Sequence, residues 1–178
     1  MILGIIRHFK VDFTPKRFLY SPGQFAEVMG EYDTLPVIPN SIKLIESEWD
    51  ICYCSTLPRA RETAEKIYNG KIIYTDLLKE IPISPVTYKK IKLPAFWWHI
   101  AARIAWYRNG DSQKEPRRVS IERINKLLDE IGNSGYNKIL IVSHGFFMEV
   151  LFKELIKKGM NGTYELHPKN GKLYLFRS

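Results

Sequence analysis

Residues 2–8 of the chain read I-L-G-I-I-R-H, an apolar run that stops at Arg7 and His8. Continuous rather than alternating hydrophobicity marks a strand covered on both faces, as in a parallel sheet packed between helices. Arginine and histidine are seldom buried without partners. A core strand that ends on both therefore directs attention to the sheet edge where it stops.

The pattern recurs outward from this stretch. Apolar, β-branched runs appear as W-D-I-C-Y-C-S near 49–55, K-I-I-Y-T-D near 71–76, K-I-L-I-V-S-H near 138–144 and K-L-Y-L-F-R-S at the end. Between most of them lie helical patterns, R-A-R-E-T-A-E-K-I-Y-N-G, S-I-E-R-I-N-K-L-L-D-E-I-G-N-S-G and G-F-F-M-E-V-L-F-K-E-L-I-K-K-G. Alternation of strand and helix predicts an α/β fold, a mostly parallel sheet with helices on its faces.

At 178 residues the chain fits a single domain, 1–178, long enough to bury a core of its own. With 45% hydrophobic and 26% charged residues, disordered, collagen-like and membrane classes are disfavoured. The start, M-I-L-G-I-I-R-H-F, lacks a basic leader and the apolar length of a signal peptide, which predicts a cytoplasmic protein with no membrane partner. Cys52 and Cys54, two apart in a strand, point to one face and are poorly placed to bond each other, as expected of packed thiols in a reducing compartment. A net charge of +8 favours an anionic partner, whether nucleic acid or a phosphorylated metabolite, or serves solubility alone.

Residues 82–118 differ in kind, holding prolines, the basic cluster Y-K-K-I-K at 88–92, the pair Trp97-Trp98 and the polar stretch N-G-D-S-Q-K-E-P-R-R. They read as an insertion that covers something, with one helix around 95–108.

In parallel α/β sheets ligands bind beyond the carboxyl ends of the strands. The first strand ends in Arg7-His8, the second leads through C-S-T-L-P-R to Arg59, and the run at 138–144 leads into Ser143-His144-Gly145. Two arginines and two histidines thus converge on one edge. Gathering that much positive charge is costly without an anion, and the anion that best uses planar guanidinium groups is phosphate. Ser55-Thr56-Leu57-Pro58 reads as a helix start with a hydroxyl cap and proline in the first turn, and His144-Gly145 as a strand-to-helix turn where the backbone approaches a ligand. A neutral imidazole is a competent nucleophile toward phosphorus, and the leaving alkoxide then needs a carboxylic acid, for which Asp76, Glu80 and Glu62 are the candidates.

Together these residues resemble the histidine phosphatase superfamily, the group containing cofactor-dependent phosphoglycerate mutases. The resemblance rests on I-I-R-H-F at 5–9, C-S-T-L-P-R-A-R-E-T-A at 54–64, Leu78-Lys79-Glu80 after the third strand and V-S-H-G at 142–145. It implies a phosphoglycerate mutase-like three-layer sandwich with an antiparallel edge strand. It further implies that His8 becomes phosphohistidine, that Arg7, Arg59, His144 and the Gly145 backbone hold the phosphoryl group, and that Glu80 is the general acid and base. Phe9, Lys10 and Val11 stand where most members carry a glycine, an acidic and a hydroxyl residue. Thr14 stands where mutases often carry asparagine, and Glu149 where many relatives carry arginine.

The chain length favours the short phosphatases, such as those acting on α-ribazole phosphate, over the longer mutases, and the insertion disfavours the shortest branch, which acts on protein phosphohistidine. In the family the insertion caps the site and selects the substrate, so Lys89 is expected to meet extra negative charge, and Trp97 and Trp98 a ring or apolar portion, of a small phosphomonoester. A homodimer is a further expectation. No cofactor and no metal is expected, since the four histidines lack ligand spacing. The alternatives are mutase-type phosphoryl transfer and a degenerate protein that binds phosphorylated ligands or, less favoured, nucleic acid.

Overall fold

The computed structural model describes residues 1–38, 40, 42 and 49–178. The elements run β1 (Ile2–Arg7), β2 (Leu19–Tyr20), α1 (Pro22–Thr34), β3 (Ile51–Ser55), α2 (Pro58–Ile67), β4 (Ile72–Thr75), β5 (Leu93–Pro94), α3 (Ala95–Tyr107), α4 (Arg117–Gly132), β6 (Lys138–Ser143), α5 (Gly145–Lys157), β7 (Asn161–Gly162) and β8 (Leu173–Arg177). Six strands form one sheet in the order β4-β3-β6-β1-β8-β7. The first three neighbour pairs are parallel, whereas β8 runs antiparallel to β1 and β7 antiparallel to β8. The antiparallel part is therefore two strands wide.

Strand alternation divides the core into two layers. Leu3, Ile5, Ile51, Tyr53, Ile139 and Ile141 point to one face, where Ile124, Leu127 and Ile131 of α4 and Phe147, Leu151 and Leu155 of α5 cover them. Ile6, Cys52, Cys54, Leu140 and Val142 point to the other, against Ala60, Ala64 and Ile67 of α2. Both cysteines are buried and free, as their spacing predicts. Gly4 shares that second face, and a Cβ there would meet the Trp49 ring at 2.2 Å, so the glycine is what lets Trp49 lie flat on β1.

A third cluster stands apart from both layers: Tyr20, Phe25, Val28 and Trp98, with Phe13, Met29 and Leu93 packed around it. It joins α1 to the start of α3, and the β2–β5 pair clips the two segments together. The 82–118 segment is thus only half of this outer layer, because residues 13–34 supply the other half. Sequence periodicity left α1 unread, although Ser21 and Gln24 form a reciprocal capping box at its start. The far end of α3 is not detached either, since Trp106 sits in the main core and donates its indole N–H to Ser120 Oγ at 3.1 Å.

Candidate active site

The register of β1 against β6 pairs Arg7 with Ser143, so the two strands end level and His8 and His144 leave the sheet side by side. Their ring centroids are 5.1 Å apart. Arg59 enters from the second residue of α2, fully enclosed, and its Nε–H points between the two imidazoles, 3.3 Å from His8 Nε2 and 3.1 Å from His144 Nδ1. All of this lies at the carboxyl ends of β1, β3 and β6, where the parallel topology opens a crevice.

The hydrogen bonds assign the imidazole protons. His8 Nδ1 lies 2.6 Å from the carbonyl oxygen of Phe9 and can only donate to it, which leaves a lone pair on Nε2 facing Arg59. His144 accepts at Nδ1 from Arg59 and donates through Nε2 to Ser55 Oγ at 2.7 Å. Burial foremost, then the neighbouring Arg59, pushes the pKa of His8 down to about 3. The same two causes hold His144 well below the ordinary histidine range. Both rings are neutral at neutral pH.

Arg7 donates from Nη1 to the carbonyl of Pro168 at 2.8 Å, while its buried Nε has no partner among the described residues. At Gly145, expected as a backbone donor, the missing side chain leaves room for Arg7: a Cβ there would lie 3.0 Å from the Arg7 guanidinium carbon. The next two N–H groups of α5 are occupied. Phe147 N–H donates to Glu80 Oε1 at 2.9 Å and Phe146 N–H to Oε2 at 3.2 Å, with Ile81 N–H also on Oε1 at 2.9 Å. The carboxylate of Glu80 therefore sits on the positive end of the helix that begins beside Arg7.

Of the other candidate acids, Asp76 stands at the rim, tied to Thr56 Oγ1 and to Lys79 Nζ, and Glu62 accepts from the N–H of Val37 away from the crevice. The expected hydroxyl cap on α2 is absent. Leu57 occupies the cap position with no side-chain bond, and Ser55 Oγ both accepts from the Leu57 N–H at 3.3 Å and braces His144.

A cavity of about 910 Å3 joins these groups, walled by Arg7, His8, Arg59, Glu80 and Gly145 on the sheet side. Its outer wall brings in residues the sequence reading missed: Tyr32 and Asp33 of α1, His99 and Arg103 of α3, and Arg123 of α4. Asp33 accepts from Arg59 Nη1 at 2.7 Å, and Arg103 lies 3.5 Å over the Phe146 ring while donating to the carbonyl of Ile81. Arg123 donates to the carbonyls of Leu77 and Lys79, fixing the turn that carries Glu80. Asp33 and Arg123 sit among other charged residues of α1 and α4, Arg103 is the one charged residue of α3, and none of the three stands at a strand end.

Lys89, Trp97 and Trp98 do not line the cavity. Trp98 is wholly buried, stacked on Phe25 with its N–H on the Tyr20 carbonyl, and Trp97 and Lys89 face solvent. The doublet is split by helix geometry, adjacent residues lying about 100° apart around the axis. Phe9 is also enclosed, in the α2-side core, with its N–H on Thr63 Oγ1, and Lys10 is exposed. Glu149 lines the cavity and holds His167 at 3.0 Å. Among the described residues no cluster of three or more His, Cys, Asp or Glu is placed to hold a metal ion, and no helix is long and apolar enough to cross a membrane.

The geometry has parallels in known proteins. Over the 88% of the chain that aligns, it superposes on the α-ribazole phosphatase of Shigella flexneri with a TM-score of 0.50 at 17% identity, covering 80% of that chain. The mycobacterial glucosyl-3-phosphoglycerate phosphatase gives 0.54 at 17% identity, over 98% of this chain and 88% of that one. At such identities these likenesses speak for the fold. A provisionally named phosphoserine phosphatase 2 of Hydrogenobacter thermophilus is 24% identical over 136 residues, 72% of this chain and 66% of that protein, so the chain spans just under two thirds of this curated relative. Residues 42–178 match the model of the histidine phosphatase superfamily (branch 1), a span that begins after Arg7-His8 and includes Arg59, Glu80 and His144. More than half of the chain lies within that match, and the protein belongs to the histidine phosphatase superfamily.

Proposed function

We propose that the protein is a phosphatase that hydrolyses small phosphomonoesters through a phosphohistidine on His8. The observation that carries this reading is the lone pair of His8 Nε2. The Nδ1–H bond to the Phe9 carbonyl fixes the tautomer, and burial beside Arg59 keeps the ring neutral, so Nε2 is unprotonated and its lone pair, which accepts from Arg59 Nε–H, becomes the nucleophile once that N–H turns to a phosphoryl oxygen.

In the first half-reaction Nε2 attacks phosphorus and the P–O bond to the alcohol breaks. Arg7, with its unpartnered Nε, and Arg59 meet the non-bridging oxygens, replacing solvent with fixed donors where charge develops. His144, enclosed behind Arg59 rather than on the cavity wall, keeps Arg59 in line through its Nδ1. Glu80, in its protonated form, gives its proton to the leaving alkoxide. In the second half-reaction the carboxylate so formed takes a proton from water, whose oxygen attacks the phosphohistidine and restores neutral His8.

The departures at Phe9 and Lys10 favour a working site over a degenerate one. Phe9 fills core space and Lys10 faces solvent, and neither removes a group from the cavity. The outer wall of α1 and α3 acts as the cap that selects the alcohol portion, with Tyr32, His99 and Arg103 taking the place that Lys89, Trp97 and Trp98 held in the sequence reading. The paired free thiols fit a reducing, cytoplasmic setting. The test is hydrolysis of p-nitrophenyl phosphate, followed by a screen of sugar phosphates, nucleotides, phosphoglycerates, phosphoserine and ribazole phosphate. Turnover by the parent protein that vanishes in His8→Ala is expected, together with acid-labile label on the parent after brief exposure to radioactive substrate. Turnover that survives His8→Ala overturns the reading.

A further inference from the structure

We propose that the outer face of the cap layer docks the protein on the surface of an anionic lipid bilayer. The antiparallel β2–β5 pair brings Phe18 and Leu19 beside the start of α3, where Phe96 and Trp97 project. Phe18 is 81% exposed, Phe96 66% and Trp97 54%, whereas Trp98 between them and the core is 0%. Large apolar side chains gathered in the open mark an interaction surface rather than scattered exposure.

Charge around the patch has one sign. Residues 13–26 and 81–110, the two segments that meet here, contain no aspartate or glutamate. They do contain Arg17, Lys89, Lys90 and Lys92, all exposed, and among the described residues no ion pair involves any of the four, although nearby Lys16 is held by Glu31. Tryptophan, phenylalanine and leucine ringed by lysine and arginine suit a bilayer interface, where apolar rings enter below the headgroups and the cations meet anionic lipid.

Two other occupants fit less well. A second copy related by a two-fold axis would set these unpaired cations against their own duplicates. Single-stranded nucleic acid asks for open ring faces, yet Phe96 and Trp97 meet edge to face at 5.6 Å, and aliphatic Leu19 and Ile91 lie among them. Tyr88 belongs both to the basic run and to the cavity wall, so docking sets the cavity mouth beside the bilayer. This is attachment to a surface, which a search for spanning segments does not detect.

The protein supplies its own reporter, since Trp49, Trp98 and Trp106 are already buried and Trp97 is the exposed indole. The full chain is titrated with phosphatidylcholine vesicles and with vesicles carrying about one third phosphatidylglycerol, following tryptophan emission and co-sedimentation. The expected result is a blue shift and sedimentation with the anionic vesicles, and binding about tenfold or more weaker to the neutral ones, at about 1 kcal/mol per basic residue near the surface. Phe18→Ser with Phe96→Ser, and separately Lys90→Glu with Lys92→Glu, should each weaken anionic-vesicle binding about tenfold or more while melting like the parent. The proposal is overturned by absence of binding to either vesicle, by equal binding to both, by self-association through the patch without vesicle binding, or by binding to a thymidine oligonucleotide in its place.

Discussion

The cavity has two walls built on different physical terms. The sheet-side wall is made of strand ends and first helical turns: His8 and His144 follow β1 and β6, and Arg59 and Glu80 follow β3 and β4. The first three follow strands buried between two helical layers, and Glu80 follows the edge strand β4 on a turn held by Arg123 and by the first N–H groups of α5. The opposite wall hangs on a small separate cluster around Trp98 and on a two-residue strand pair. On the proposed function, chemistry that needs fixed geometry sits on the first, and selection of the alcohol portion of the substrate falls to the second, where side chains can change without disturbing the sheet.

That division has measurable consequences, of which the largest lies in the sheet-side wall. His8→Ala should lower kcat on p-nitrophenyl phosphate about 10⁴-fold or more, with the melting temperature little reduced, because the nucleophile itself is removed. Steady-state kinetics beside a thermal melt decides it; a loss of only a few fold would move the chemistry elsewhere. Glu80→Gln comes next, costing about 10²–10⁴-fold in phosphorylation of His8 by an alkyl phosphate and much less with a p-nitrophenyl ester, whose leaving group needs no proton. Single-turnover rates on the two substrates distinguish an acid from a residue that only orders α5, since the latter would slow both alike.

The cap layer answers to packing instead. Trp98→Ala should destabilise the protein by about 3–5 kcal/mol, as for a large ring removed from a closed core, whereas Trp97→Ala should stay within about 0.5 kcal/mol. Chemical denaturation of the two variants checks the contrast, and similar losses would refute the burial pattern described here. The last effect concerns pH. His8 has a pKa of about 3 in the folded protein against 6.5 in an unfolded chain, so between those values the unfolded state binds more protons. Stability contributed by the neutral ring is complete above pH 6.5 and is lost as the pH falls toward 3. His144 acts in the same direction. Melting followed from pH 7 to pH 4 should therefore fall less steeply in His8→Asn than in the parent, and parallel curves would contradict the buried, neutral imidazole.

How much of this could be read from one sequence follows the same split. The runs at 2–7, 51–55 and 138–143 are strands because unbroken apolar, β-branched residues have nowhere to lie except between two layers, and a strand that ends on a charged side chain places it at the sheet edge. Arg7, His8, Arg59, Glu80 and His144 were legible for that reason. The helix start at Ser55–Pro58 was legible but its hydroxyl cap was not: Leu57 takes the cap position, and Ser55 Oγ is shared between the Leu57 N–H and His144. Asp33, Arg103 and Arg123 were not legible, since a charge on an amphipathic helix looks alike whether it faces water or a cavity.

Sequence by itself determined the order of the long central strands and the helices between them, and the identity of the groups that converge on the crevice. It could do so because backbone periodicity and the carboxyl-end rule are local and nearly independent of partners. Tertiary structure alone decided which face of α3 turns inward, that Trp98 and Trp97 part company, that Glu80 rests on the start of α5, and that two segments poor in acidic residues meet in one basic, aromatic surface. Those outcomes depend on contacts between residues tens of positions apart, and no local pattern encodes the partner.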